Sequence, residues 1–191
     1  RYIEQYDFAF LFVSFTTVFL IIPRLVTIFQ GELLSSETLV FYDKLVSLFL
    51  TKPMSNILNY LGYSSVAIGN TLHFKSHNGE ILRVSVDFMC SGIFSVAVFI
   101  SAFVAFMLVQ YRKFDSLFFI FLFLGVMTSY IANLLRMILI ILVGHYWGLE
   151  ALDFAHRNLG WIIFMLWVFL FWTLLFKVFD FNKDFEPEPQ S

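Results

Sequence analysis

The chain has 191 residues, 60% of them hydrophobic and 20% aromatic, with a formal net charge of −2. Soluble domains run near about 45–50% apolar, and a balance this close to neutral leaves no basic field to hold a nucleic acid. A single cysteine excludes an internal disulfide.

Mean hydropathy is +0.82, and the apolar excess comes in blocks long enough to span a bilayer. They predict an all-α integral membrane protein of about four transmembrane helices, with interfacial helices and a small extracytoplasmic β-hairpin. Residues 1–179 read as a single membrane-embedded domain and residues 180–191 as a disordered, charged tail.

The first block runs from about Asp7 to Phe29, with Pro23 expected to kink it or mark its end. It is long and lacks a small-residue cleavage site, so it reads as a span and not a signal peptide. Leu39 to Leu50 and Met54 to Leu61 are apolar but too short to cross, and Thr51-Lys52-Pro53 separates them. They are expected to lie in the interface, to pack on the bundle, or to form a re-entrant pair. Val66 to Val86 has the alternation of a hairpin, with turn residues at His77-Asn78-Gly79. His73 and His77 lack partners at metal-ligand spacing, so no metal site is expected.

Gly92 to Val109 is the second span, and Tyr111-Arg112-Lys113 flanks it as a cytoplasmic turn does. Leu117 to Val143 is an apolar run of 27 residues interrupted by Asn133 and Arg136. At 1.5 Å per residue, a helix starting near Ser116 crosses by about Arg136, and Ile138 to Val143 continues it or turns over. Gly144 to Asn158 reads as a polar connection, and Leu159 to Phe176 as the last span.

These assignments bring three reactive groups to one membrane surface. Cys90 stands where a polar segment meets the second span, and a helix N-terminus favours its thiolate. The plainer alternative is a small buried hydrophobe. Arg136 falls near the outer end of the third span. An ionisable side chain inside an apolar run is a functional hypothesis by default, the alternative being a snorkelling cation. Asn133, three residues earlier, shares its face; it can hold the guanidinium, meet a substrate carbonyl, or bond another helix. His156 falls just before the last span, as the base for the thiol or as an interfacial histidine. His145 suits the base role less, because Tyr146-Trp147 beside it reads as interface anchoring.

Cys90-Ser91-Gly92-Ile93 opening a span, Asn133-Leu134-Leu135-Arg136 in the next, and His156 before the last resemble the exosortase/archaeosortase family of membrane cysteine transpeptidases. Leu61-Gly62 and Gly69-Asn70 resemble the segment preceding that family's cysteine. The likeness covers about Leu61 to Trp161, over half the chain. It implies a protease or transpeptidase, acting at the outer face of the cytoplasmic membrane without metal or organic cofactor. Its substrates would be exported proteins carrying a C-terminal signal of short motif, apolar helix and basic cluster. The product would pass to a membrane lipid or another acceptor. Cys90 would be the nucleophile, Arg136 the transition-state stabiliser and His156 the base, with Asn133, Arg157, Ser91 and Gly92 in support. Some archaeal members place an arginine where others have the histidine, so His156 and Arg157 both stand for the third position. The rival reading, from another class, is a non-catalytic membrane subunit that scaffolds a larger complex.

Overall fold

The 27-residue apolar run does not end a helix near Arg136. In the computed structural model, which describes residues 2–29, 43–86, 92–111 and 116–183, one helical stretch runs from Ser116 to Lys183. Its apolar part alone, Ser116–Val178, has 63 residues. A straight helix of that length would reach about 95 Å, three times the hydrocarbon core of a bilayer. The chain instead breaks at Gly148, with φ 82° and ψ −173°, a conformation open essentially to glycine alone. The two arms, 116–147 and 149–183, fold back on each other. A methyl group placed on Gly144, four residues before the break, would touch Leu152, four residues after it. One on Gly160, twelve residues after, would touch Arg136, twelve before. The segment expected as a polar connection, Gly144 to Asn158, is therefore helical apart from Gly148. Gly148→Ala has open space for its methyl, so its cost is backbone strain, expected at about 1–3 kcal/mol. A lowered thermal midpoint in detergent would report it.

The other elements are, in order, α1 (Tyr2–Phe29), a π-helical turn (Ser47–Thr51) leading into α2 (Lys52–Tyr60), strands β1 (Ser65–Ile68), β2 (Thr71–Lys75) and β3 (Ile81–Ser85), and α3 (Ile93–Phe106), which ends in a second π-turn (Met107–Tyr111). The long stretch Ser116–Lys183 is α4. Two of these pieces, Ile93–Gln110 and Ser116–Val178, are long and apolar enough to cross a membrane.

Four expectations need correction. Pro23 does not end α1, which continues to Phe29. Pro53 does not break the chain either. It sits in the first turn of α2, directly after the π-turn, and helical backbone runs through it. The hairpin is a three-stranded antiparallel sheet of order β1-β2-β3. The added strand pairs Ser65 with Phe74 and Ile68 with Thr71 across the Gly69-Asn70 turn. α4 also reaches Lys183, four residues into the expected tail; 184–191 lie outside the described residues.

Two apolar clusters stand on either side of the residues that matter. One is aromatic and joins α3 to both arms of α4 through Phe99, Phe103, Phe118, Trp167 and Phe171, with the Phe99 ring edge-on to Phe171 at 4.9 Å. The other is a cap: α2 and the sheet bury Met54, Leu58, Leu72 and Phe74 against Met137, Ile138 and Ile141 of α4. That cap explains why the apolar run overshoots a bilayer. Its last turns are covered by protein, so the helix stays apolar beyond the length that lipid alone requires.

The bend is tied to the cap by main-chain and ring contacts. Ser76 Oγ and the His77 N–H both donate to the His145 carbonyl, at 3.1 and 2.9 Å. Tyr63 and Tyr146 share a hydroxyl–hydroxyl hydrogen bond of 2.9 Å, which holds the Tyr63 hydroxyl above its usual pKa and so protonated. Tyr146, expected to anchor at the membrane interface, thus meets Tyr63 of the cap.

Candidate active site

Arg136 and Asn133 occupy the boundary between the two clusters. Twelve residues of helix place Arg136 about 18 Å from the bend, well inside the first arm and not at its end. Asn133 is 7% exposed. α3 approaches it through Gly92, whose φ of 82° starts that helix from the left-handed region. The Gly92 backbone packs directly on the amide: a methyl there would lie 2.6 Å from Asn133 Cγ and 2.7 Å from Nδ2. The second arm approaches Arg136 through Gly160, where a methyl would lie 3.0 Å from both Cζ and Nη2.

These close approaches leave a narrow cleft of about 10 Å³ lined by Ser95, Ser129, Asn133, Arg136, Gly160 and Phe164, among others. Arg136 Nε is buried there and has no hydrogen-bond partner among the described residues. A buried donor without a partner carries the desolvation cost of the bond it lacks. The guanidinium packs against Gly160 of the second arm, and it shares the cleft wall with the polar side chains of Ser95, Ser129 and Asn133.

His156 lies in the second arm, two turns past Gly148, and not ahead of the helix as expected. It is half-buried and sits one turn from Gly160 on the same face. From their distances to the bend, twelve residues and eight, His156 is offset from Arg136 by about 6 Å along the hairpin. Arg157 points elsewhere. Its Nη2 meets Asp153 Oδ2 at 2.7 Å in an exposed i,i+4 pair, the two side chains 69% and 59% exposed. Cys90 and Ser91 lie outside the described residues.

Residues 5–173 match the family described as Transmembrane exosortase. The chain belongs to that family. No curated protein and no solved structure matches it. Exosortase membership carries a membrane location and, at the level of the family, a transpeptidase or protease role. The match extends on both sides of the stretch that carried the resemblance, taking in α1 and most of the second arm of α4.

Sequence reasoning missed Gly160, Ser95 and Ser129 as parts of the cleft. The signal for Gly160 was present: a glycine one turn after His156 has no side chain to keep a neighbour away. It could be used only once the second arm was known to lie on Arg136.

Proposed function

We propose that the chain is a cysteine transpeptidase of four membrane crossings: α1, α3 and the two arms of α4. Its site would open on the extracytoplasmic side, beneath the cap. The observation that carries this reading is the approach of Gly92 to Asn133, one helical turn from Arg136. Cys90 is two residues from Gly92, and two residues of chain reach at most about 7 Å. Two residues of chain thus limit how far Cys90 can lie from the wall that presents the half-buried Arg136.

The chemistry follows from these groups. The Cys90 thiolate attacks the carbonyl carbon of the scissile peptide bond, forming a C–S bond and placing negative charge on the oxygen. Arg136 N–H groups donate to that oxyanion. The C–N bond then breaks, and His156, having taken the thiol proton, gives it to the leaving amine. The thioester is finally attacked by an acceptor hydroxyl or amine, on a membrane lipid or elsewhere, or by water. The acceptor's proton returns through His156 and the thiol is freed. Substrates are exported proteins with the C-terminal motif, apolar helix and basic cluster. Their apolar helix has the exposed, Phe-rich flank of α4 to lie against, where Phe119, Phe123 and Phe169 are all at least 60% exposed.

Accessibility tests the reading. A membrane-impermeant maleimide is expected to label Cys90 in intact cells and to stop processing. Labelling only after the inner face is opened would remove both topology and mechanism. A second comparison assigns the base. His156→Ala is expected to slow processing by about 10²–10⁴, whereas Arg157→Ala removes an exposed pair worth about 0–1 kcal/mol and should leave turnover nearly intact. The reverse ranking would give the third position to Arg157.

A further inference from the structure

The sheet of the cap has one covered edge and one that is open among the described residues. On β1, the Asn59 side chain donates to the Ser65 carbonyl at 2.9 Å and accepts from the Ser65 N–H at 2.8 Å. Ser55 Oγ donates to the same carbonyl at 3.0 Å, and Thr51 Oγ1 donates to Gly69 O at 2.7 Å. Side chains of the π-turn and α2 thus occupy main-chain groups that an edge strand would otherwise expose.

β3 is the other edge, and its main-chain groups have no such cover among the described residues. The direction of each amide follows from the bonds around it. Lys75 N–H donates to Ser64 O, toward β1, whereas Ser76 N–H donates to Glu80 O and Val86 N–H to Asn70 O. Because directions alternate along a strand, Leu82 and Val84 bond β2, and Ile81, Arg83 and Ser85 turn their N–H and C=O groups outward. The side chains of these three residues are also exposed. Ile81 is 70% exposed and borders an open groove of about 370 Å³ that crosses the outer sheet face past Lys75 and His73 to Val66. Lys75 and Arg83 make no ion pair among the described residues, and Glu80 is the one acid between Ser64 and Val86.

We propose that β3 is a docking edge for an extended stretch of the substrate polypeptide, which adds to the sheet as a fourth strand and sets an acidic side chain against Lys75 and Arg83. The proposal rests on the transpeptidase reading for what happens next. β3 ends at Ser85, five residues before Cys90, so a strand held on this edge lies beside the chain that leads to the thiol. Main-chain pairing supplies affinity with little demand on sequence, and the groove and the two cations supply selection. A membrane surface also offers acidic groups and would accept Ile81 and Val66. It leaves the outward N–H and C=O groups of β3 without partners, which lipid tolerates poorly.

The experiment uses the full-length Cys90→Ala chain in detergent. The probe is a dye-labelled decapeptide of alternating threonine and valine with one central glutamate, read by fluorescence anisotropy. Saturable binding is expected. Methylating alternate backbone amides of the probe, or replacing its glutamate by lysine, should weaken binding by roughly tenfold or more. Arg83→Pro removes one outward N–H that the sheet does not use, and should abolish binding; Arg83→Ala should fall between. If Arg83→Pro does not fold, the N-methylated probe decides alone. Unchanged binding of that probe, or of the native probe to a folded Arg83→Pro chain, overturns the proposal. So does a nitroxide at Ile81→Cys, in the Cys90→Ala chain reconstituted into vesicles, that is quenched by oxygen in lipid and not by a water-soluble nickel complex. Processing that survives Cys90→Ala in cells would instead end the enzyme reading, and peptide binding would be untouched by it.

Discussion

Arg136→Lys is expected to insert, fold and accumulate like the native chain while processing substrate at least about a hundredfold more slowly. Both side chains are cationic, so a residue that merely snorkels to headgroups would survive the exchange. The geometry argues against snorkelling: Nε is buried, and the guanidinium lies over Gly160 in the groove between the arms of α4. A planar fork fits that flat glycine surface and presents several donors in fixed directions. Lysine offers one compact, strongly hydrated ammonium on a flexible stem. Losing one well-placed oxyanion donor costs about 2.7–4 kcal/mol. The measurement is the single-turnover rate with saturating substrate, alongside the amount of folded protein. Near-native turnover in Arg136→Lys would show that the position needs only charge, and the oxyanion role would have to be dropped. Asn133→Ala should be milder if Asn133 only orients the guanidinium.

Gly92→Ala is expected to be as damaging by a different route. Its φ of 82° is the left-handed region, and the added methyl would lie 2.6 Å from Asn133 Cγ. Strain of about 1–3 kcal/mol adds to overpacking of about 1–3 kcal/mol. Relief requires α3 to move away from α4 or Asn133 to change rotamer beside Arg136. Either shift moves the chain leading to Cys90 relative to the guanidinium, and about 1 Å of misplacement can cost a hundredfold in rate. Both the thermal midpoint and the rate should fall. Adding Asn133→Ala removes the two closest contacts, leaving Cβ at 3.1 Å, and does not relieve the φ strain, so the double variant should recover part of the stability. Full additivity of the two changes would show that the Gly92–Asn133 approach is not what holds α3 in place.

Much of the site was legible because its chemistry is rare in its surroundings. A lone cysteine ahead of an apolar run, an arginine inside one, and Asn133 on its face stand out against 60% hydrophobic residues. The resemblance they carry was enough to name the family. Levels along the chain were less legible. A hydropathy run reports that a segment is apolar, not whether lipid or protein covers it. Ile138 to Val143 therefore reads the same under the cap as it would in a bilayer. That is why Arg136 was expected at a helix end and His156 ahead of a helix.

The sequence by itself determined the membrane class, the position of the polar groups along the chain and the alternation of β2 and β3. These are properties of neighbours a few residues apart, and their periods are written locally. Tertiary structure alone decided that α4 folds back at Gly148 in a register that lays Gly160 on Arg136. It also decided that Gly92 touches Asn133, and that β1 is guarded while β3 has no cover among the described residues. Each depends on a contact between residues far apart in the chain, and two glycines that are silent as side chains become specific only when another helix uses the space they leave.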